Sequence, residues 1–201
     1  MIKVYGGRMG SSLRAHWALA EAGVDYAEMP LNMQNREHKS PDFLKINPNG
    51  QVPVLIDGDV ILSESMAISS YVIDKYKPEL LGSTPEIRGE SWKWSIWSYL
   101  NIQKHFGLIM FQLNWAPEKD QSAIDKASEE VKPYLVILNE HLAKNKYLAG
   151  DEFTVADINA GVAVGYGVLS NYDMKAYSHI VKWFETITAR SAYLKATKNN
   201  Q

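Results

Sequence analysis

Cysteine is absent from the 201-residue chain, which excludes disulfide staples, thiolate metal sites and any nucleophilic or redox thiol of the protein's own. Thiol chemistry here would have to run on a sulfur that a small molecule brings. No stretch approaches the roughly 20 consecutive apolar residues that cross a bilayer. The start, Ile2-Lys3-Val4-Tyr5-Gly6-Gly7, reaches paired glycines before an apolar signal core can form, so a cytoplasmic protein without a membrane partner is expected. An excess of positive charge is missing too: 21 Lys plus Arg stand against 23 Asp plus Glu, which leaves no global field for binding nucleic acid. The five histidines show no HExxH or other ligand spacing, so no metal is expected. No internal repeat or low-complexity tract is present. What remains is an ordinary globular composition, 46% hydrophobic and 22% charged, long enough for one large domain or two modest ones.

The first 77 residues change period repeatedly. Ile2 to Tyr5 is a short β-prone run, Ser11 to Ala22 places Leu13, Trp17 and Ala20 at helical spacing, Gly23 caps that helix, and Tyr26 to Leu31 reads as a second strand. Such a βαβ crossover joins parallel strands. Pro53 to Ile56 and Val60 to Leu62 flank Asp57-Gly58-Asp59, a strong hairpin signal that makes these two strands antiparallel. A helix from Ser65 to Tyr76 follows, with Ile68, Tyr71 and Val72 on one face. Residues 78–85 have the Pro, Gly and Ser content of a linker. Everything after, 86–201, reads as helix. Glu86 to Phe111 is one long segment, Ser122 to Ala143 is another that Pro133 should break, and Thr154 with Asp157 forms a capping box for a helix to Leu169, stapled by Phe153 on Ile158. A last helix covers Ala176 to Arg190. The expected architecture is therefore a small α/β domain (1–77), a linker and an all-helical domain.

Three loops of the first domain fall near strand ends and helix starts, where such sheets gather ligands: Gly6 to Ser12, Asn47 to Pro53, and Ser63 to Ser65. They point to a polar anionic ligand. Glu64 and Ser65 stand where the hairpin feeds a helix, so free amides and the positive end of the helix dipole can meet a carboxylate. The plainer alternative is that Ser63 or Ser65 caps that helix. The local sequence leaves open whether Val52–Pro53 is cis.

The run Ile46-Asn47-Pro48-Asn49-Gly50-Gln51-Val52-Pro53-Val54-Leu55, followed by Ser63-Glu64-Ser65-Met66-Ala67-Ile68, resembles the glutathione-binding signature of cytosolic glutathione S-transferases. Phe153-Thr154-Val155-Ala156-Asp157 resembles that family's C-terminal capping box, and the resemblance covers essentially the whole chain. It implies a thioredoxin-like first domain, glutathione as co-substrate, and a homodimer with each site near the interface. It also implies that Val52 offers backbone hydrogen bonds ahead of a cis Pro53, with Gln51 adjacent, and that Glu64 and Ser65 hold the γ-glutamyl end. Met9-Gly10-Ser11-Ser12-Leu13-Arg14-Ala15-His16 is most similar to bacterial beta-type members, in which a cysteine stands at the position of Ser11.

A free thiol has a pKa of about 8.5, and lowering it by roughly two units makes the thiolate dominant near neutrality. A hydroxyl donor beside a helix N-terminus meets that need, and Ser11, Tyr5 and Ser12 are the candidates. Ser11 leads Ser12 slightly, since one of the pair is expected to cap the first helix. Tyr5 matches the catalytic position of Tyr-type members, although an aromatic at a strand end needs no such role. Arg8 either attracts the anion or is solvated. His16 reads as packed or surface rather than catalytic. In the long helix that the resemblance assigns to the second-substrate pocket, Gln103, Lys104, Phe106, Met110 and Phe111 are candidates, and the apolar ones among them equally read as core. The activity implied is conjugation of glutathione to a hydrophobic electrophile. Glutathione-dependent peroxide reduction or isomerisation, and a non-catalytic binding or regulatory protein on the same fold, are the alternatives.

Overall fold

A computed structural model describes residues 1–198; the last three residues of the expected helical domain lie outside the described residues. The chain divides into two compact units, 1–78 with 190–198, and 79–189.

The first unit is built on strands β1 (Ile2–Tyr5), β2 (Tyr26–Met29), β3 (Val54–Asp57) and β4 (Val60–Ser63) in the order β2-β1-β3-β4. β2 runs parallel to β1 across helix α1 (Leu13–Ala22), and β3 and β4 form the antiparallel hairpin about Asp57-Gly58-Asp59. Helix α3 (Ser65–Tyr76) packs along α1. The interior is filled by Val4, Ala15, Leu19, Leu55, Ile68, Val72 and Ile73, all inaccessible to solvent. One helix was not legible in the spacing: α2 (Pro41–Ile46), a single turn and a half whose Ser40 cap accepts from the Phe43 N–H and whose Pro41 stands in its first turn. Six residues are too few to show a period.

The second unit is built of helices, with no strand among the described residues beyond an isolated bridge between Tyr147 and Gly150. The expected single helix from Glu86 is α4 (Pro85–Ser98) and α5 (Lys104–Asn114), joined by a π-helical turn over Tyr99–Gln103. Ser98 Oγ–H and Asn101 Nδ2–H donate back to the carbonyls of Ser95 and Trp97 at 3.0 and 2.9 Å. Such competition loosens the ladder locally. The next segment breaks at Val131 into α6 (Gln121–Glu130) and α7 (Lys132–Leu142). Pro133 lies in the first turn of the new helix, where its missing N–H costs nothing, so the break falls two residues before it.

Helix α8 (Val155–Leu169) is the centre of this unit, with Ala156, Ile158, Ala160 and Ala163 fully buried. Its capping box forms as the sequence implies: Thr154 Oγ1 accepts from the Ala156 N–H (3.3 Å), and Asp157 accepts from the Thr154 N–H (3.0 Å). Asp157 also receives the Leu148 N–H (3.1 Å) and the Nε1–H of Trp183 (2.8 Å), on helix α9 (Ser178–Thr188). Burial pushes this carboxyl up to about 6 while its donors pull it down.

Residues 190–198, read from sequence as part of the helical domain, pack on α1 instead. Arg190 makes a two-pronged pair with Glu21 at 2.6 and 2.7 Å, and Tyr193 of helix α10 (Ser191–Thr197) meets the Trp17 ring edge-on at 4.8 Å. Arg8 is spent on the same anchorage: it pairs with Glu28 of β2 and donates to the carbonyls of Lys195 and Ala196 at 2.9 and 3.1 Å.

Asp157 joins the cap of α8, the preceding loop and α9 through three N–H groups that have no other acceptor within the cap. Asp157→Ala should therefore cost about 3 kcal/mol or more, read as a lower midpoint in chemical denaturation. A variant with the parent midpoint would contradict this account of the cap.

Candidate functional site

Strand register assembles the three loops. Tyr5, the last residue of β1, is paired with Val54, the first of β3, and Val54 is paired with Ser63, the last of β4. The segments that follow Tyr5, precede Val54 and follow Ser63 therefore leave the sheet at one end. The Val52–Pro53 bond at that end is cis.

The first turn of α3 is open. Its N-cap is Glu64, which makes no side-chain capping bond, so neither Ser63 nor Ser65 caps the helix. The amides of that turn have no intrahelical acceptor. Glu64 has φ +69° and ψ 110°, a backbone conformation that costs a non-glycine residue about 1–3 kcal/mol. Its carboxylate is exposed, whereas Ser65 behind it is buried. The Ser65 hydroxyl oxygen accepts from Nη1–H of Arg14 at 3.2 Å, and Arg14, in the first turn of α1, has no solvent exposure. Two helix N-termini are thus held side by side, with a buried guanidinium between them. Because Ser65 Oγ accepts from Arg14, its own proton is directed elsewhere.

The start of α1 is likewise without a side-chain cap, both at Met9 before the short 3-10 turn Gly10–Ser12 and at Ser12 itself. The two serines differ. Ser12 is buried against Gly6, where a Cβ would come within 2.6 Å of its Oγ. Ser11 is half-buried, and its hydroxyl makes no hydrogen bond among the described residues. Neither caps the helix, contrary to the expectation that one would. Tyr5 is half-buried with its ring 5.7 Å from that of Phe43.

The loop carrying Ser11 is pinned from below by His16, which is fully buried. Its Nε2 lies 3.1 Å from the Gly6 carbonyl, which can only accept, so Nε2 carries the proton. Burial lowers the histidine's pKa below the ordinary range, the ring is neutral, and Nδ1 accepts from the Tyr26 O–H at 2.8 Å.

In the second loop, Asn47 Nδ2–H donates to the Gln51 carbonyl (2.8 Å) and its Oδ1 accepts from the Asn49 N–H (3.2 Å). Lys39 lies across this turn, with Nζ–H donating to the Asn49 carbonyl at 3.0 Å. Gln51 is exposed, Val52 half-buried and Pro53 buried.

The candidates in the helical unit separate by burial. Phe106 is fully buried, edge-on to Tyr172 at 5.1 Å, and Met110 is buried four residues further along α5, so both belong to the core. Lys104 and Phe111 are exposed and Gln103 is intermediate. Arg8, paired as above, is neither solvated nor free for an anion.

Sequence reasoning missed Arg14 as a site residue. Its partner is 51 positions away, and no local period reports a pairing of that range. Lys39, ten positions from the Asn49 carbonyl it meets, was not singled out either. It stands in a segment with no regular pattern.

Residues 1–74 match the family model described as glutathione S-transferase, N-terminal domain, and residues 99–191 that of the C-terminal domain. Glutathione S-transferase 3 of Zea mays is 34% identical, the alignment covering 96% of this chain and 92% of the relative. Glutathione S-transferase F9 of Arabidopsis thaliana is 34% identical over 96% of this chain and 94% of the relative. Among solved structures, maize glutathione S-transferase I in complex with an atrazine glutathione conjugate superposes with a TM-score of 0.85 at 35% identity, covering 98% of this chain and 96% of that one. These relatives are plant enzymes of the phi class, which corrects the placement beside bacterial beta-type proteins. That placement rested on eight residues, 9–16, whereas the plant similarity extends over nearly the whole chain.

Gly6 combines φ +117° with the tight approach of Ser12, whereas a Cβ on Gly7 would meet nothing within 4 Å. Gly6→Ala should therefore lower stability by about 1–3 kcal/mol, and Gly7→Ala should sit near the parent protein. Equal thermal midpoints for the two variants would show that the loop is not held as described.

Proposed function

The chain belongs to the glutathione S-transferase family, and from that premise we propose how its residues bind glutathione, ionise the thiol and deliver it to an electrophile. Its activity is glutathione transfer. The observation that carries the assignment of roles is the pair of uncapped helix N-termini joined by the buried Arg14–Ser65 hydrogen bond.

The γ-glutamyl end of glutathione carries both an ammonium and a carboxylate. The exposed Glu64 carboxylate receives the ammonium, while the Ser65 hydroxyl and the first-turn amides of α3 receive the carboxylate. Arg14 holds Ser65 in the donating orientation. The main chain of Val52, ahead of Pro53 and next to Gln51, pairs with the cysteinyl backbone. Lys39, across the same loop, supplies the cation for the glycyl carboxylate. This sequence of contacts leads the sulfur toward the start of α1. There Ser11 donates to the thiolate, aided by the positive end of the α1 dipole. Ser12 is occupied with packing against Gly6. Tyr5 lines the strand end.

The ionised sulfur attacks the electrophile, forming a carbon–sulfur bond while the leaving group departs with its electron pair. Gln103, Lys104 and Phe111 are the helical-unit residues we assign to the second substrate, a hydrophobic electrophile. The related maize enzyme's atrazine glutathione conjugate supports that class. Membership of the family supports a cytoplasmic setting. No helix among the described residues is long and apolar enough to cross a membrane. A homodimer is supported by Trp92, Ile96, Tyr99 and Leu100, a stripe of exposed apolar side chains at three- and four-residue steps along α4 and the π turn. Ile96→Glu should halve the mass found by sedimentation, and an unchanged mass would remove this stripe from the interface.

Kinetics separate the roles. Ser11→Ala should lower kcat for haloarene conjugation by about 10- to 100-fold with little change in KM for glutathione. Ser65→Ala should raise that KM by about tenfold with kcat nearly kept. Ser12→Ala losing kcat while Ser11→Ala does not would transfer the donor role to Ser12. Turnover confined to peroxide or enone substrates would replace conjugation by reduction or isomerisation.

A further inference from the structure

Between the end of β1 and Ser11 the chain reads Gly6-Gly7-Arg8-Met9-Gly10. Three glycines in succession with two other residues give this loop little stiffness of its own, because glycine has the most backbone freedom to lose. Gly6 and Gly10 both take positive φ, +117° and +59°. A loop of that composition keeps one conformation only if something outside it holds it. Met9 does not, since its side chain is exposed. Two ties are present: the His16 Nε2–H on the Gly6 carbonyl at 3.1 Å, and the side chain of Arg8.

Arg8 is bound on two sides. Its Nε–H meets the Glu28 carboxylate at 3.0 and 3.1 Å, and its Nη1–H donates to the carbonyls of Lys195 and Ala196 at 2.9 and 3.1 Å. Glu28 and Tyr26 stand two apart on β2 and therefore on one face of the sheet. Tyr26 bonds to His16, and its ring centroid lies 6.0 Å from the Arg8 guanidinium carbon. Both ties of the loop thus converge on one strand.

The second side is different in kind. Lys195 and Ala196 are in the last turn of α10, whose final carbonyls have no partner further along the helix. A guanidinium there satisfies two of them and opposes the negative end of the helix dipole. Arg8 is in this way the cap of a helix 187 positions away. That helix is seated in turn on α1, by Arg190 on Glu21 and by Tyr193 against Trp17. It holds the loop before Ser11 at Arg8 and the helix after Ser11 at Trp17 and Glu21.

We propose that Arg8 is a positioning residue for Ser11, and that the returning helix α10 takes part in the reaction through it, by holding the glycine-rich loop so that the Ser11 hydroxyl faces the glutathione sulfur. The inference rests on Ser11 being the donor to the thiolate. The Arg8 guanidinium itself is committed to Glu28 and α10 and touches no ligand. Loosening the loop spreads Ser11 over several positions, so a smaller share of bound glutathione has its sulfur hydrogen-bonded. The contacts assigned to Val52, Glu64 and Ser65 lie on other loops and still hold the tripeptide. The signature is a fall in kcat at nearly constant KM for glutathione.

The test compares full-length Arg8→Met, Arg8→Lys, Arg190→Met and the double variant Arg8→Met with Arg190→Met against the parent and Ser11→Ala. Each is saturated with glutathione, titrated for bound thiolate by difference absorbance, and assayed with a haloarene below its thermal midpoint. Arg8→Met should lower kcat about tenfold and move the thiolate midpoint upward, in the direction of Ser11→Ala, with KM for glutathione nearly kept. Arg8→Lys, which retains the charge but not the fork that reaches both partners, should fall between Arg8→Met and the parent. Arg190→Met, which loosens α10 and leaves the loop sequence intact, should shift kcat and midpoint the same way by less. The double variant should be no worse than Arg8→Met alone, because the effect of α10 passes through Arg8. If Arg8→Met does not fold, Arg8→Lys and Arg190→Met carry the same readouts. Parent values of kcat and thiolate midpoint in the folded Arg8 variants, or a raised KM with kcat kept, would overturn the positioning role. Losses that multiply in the double variant would overturn the part assigned to α10. A thiolate midpoint unmoved by Ser11→Ala would instead overturn the donor reading beneath the inference.

Discussion

A guanidinium with no solvent exposure must be satisfied by hydrogen bonds where it lies, because an unpaired buried charge is among the costliest defects a fold can contain. Arg14 meets that demand in part through Ser65, and the rest of the site depends on this contact. Arg14 is in the first turn of α1 and Ser65 in the first turn of α3. This hydrogen bond therefore links the two helix starts, which the packing of α1 on α3 holds at the end of the sheet where β1, β3 and β4 are in register. Neither start has a side-chain cap. Positive partial charges gathered around a buried cation leave the region short of negative charge, which suits an anionic ligand group.

The surrounding structure serves to keep that arrangement rigid. His16, neutral and bonded to both the Gly6 carbonyl and the Tyr26 hydroxyl, ties the loop after β1 to the neighbouring strand β2. Gly6 lets Ser12 approach closely enough to be sealed in, which leaves Ser11 as the accessible hydroxyl of the pair. Arg8, which the sequence left either attracting an anion or solvated, instead joins β2 to the returning α10. The strained backbone of Glu64 places its carboxylate in solvent immediately before the amides of α3. Acid and base recognition thereby fall on successive residues, which suits a zwitterionic end group.

Much of this was legible in the sequence. The βαβ and hairpin order, the helix from Ser65 and the Thr154–Asp157 cap all arise from local chemistry, from period, turn residues and capping spacing, and local chemistry is what a sequence displays. The features that escaped depend on distance along the chain or on competition. Arg14 and Ser65 are 51 positions apart, Arg190 and Glu21 are 169 apart, and no spacing announces either pair. The π turn at Tyr99–Gln103 lies inside a pattern that reads equally well as unbroken α-helix. Phe106 and Phe111 look alike as aromatics on one helix, yet the first is enclosed and the second exposed. The short stretch 9–16 suggested a bacterial affinity that whole-chain similarity replaced with a plant one, because eight residues of loop and helix start carry little information beside nearly 200.

The central claim is that this end of the sheet stabilises the thiolate of bound glutathione, so that the thiol releases its proton to solvent near neutral pH. The direct measurement is a difference-absorbance titration of the wild-type protein saturated with glutathione, following the thiolate band as pH is raised. The account predicts a midpoint roughly two units below the value of about 8.5 for a free thiol. A midpoint at or above the free value, with glutathione demonstrably bound, would contradict it.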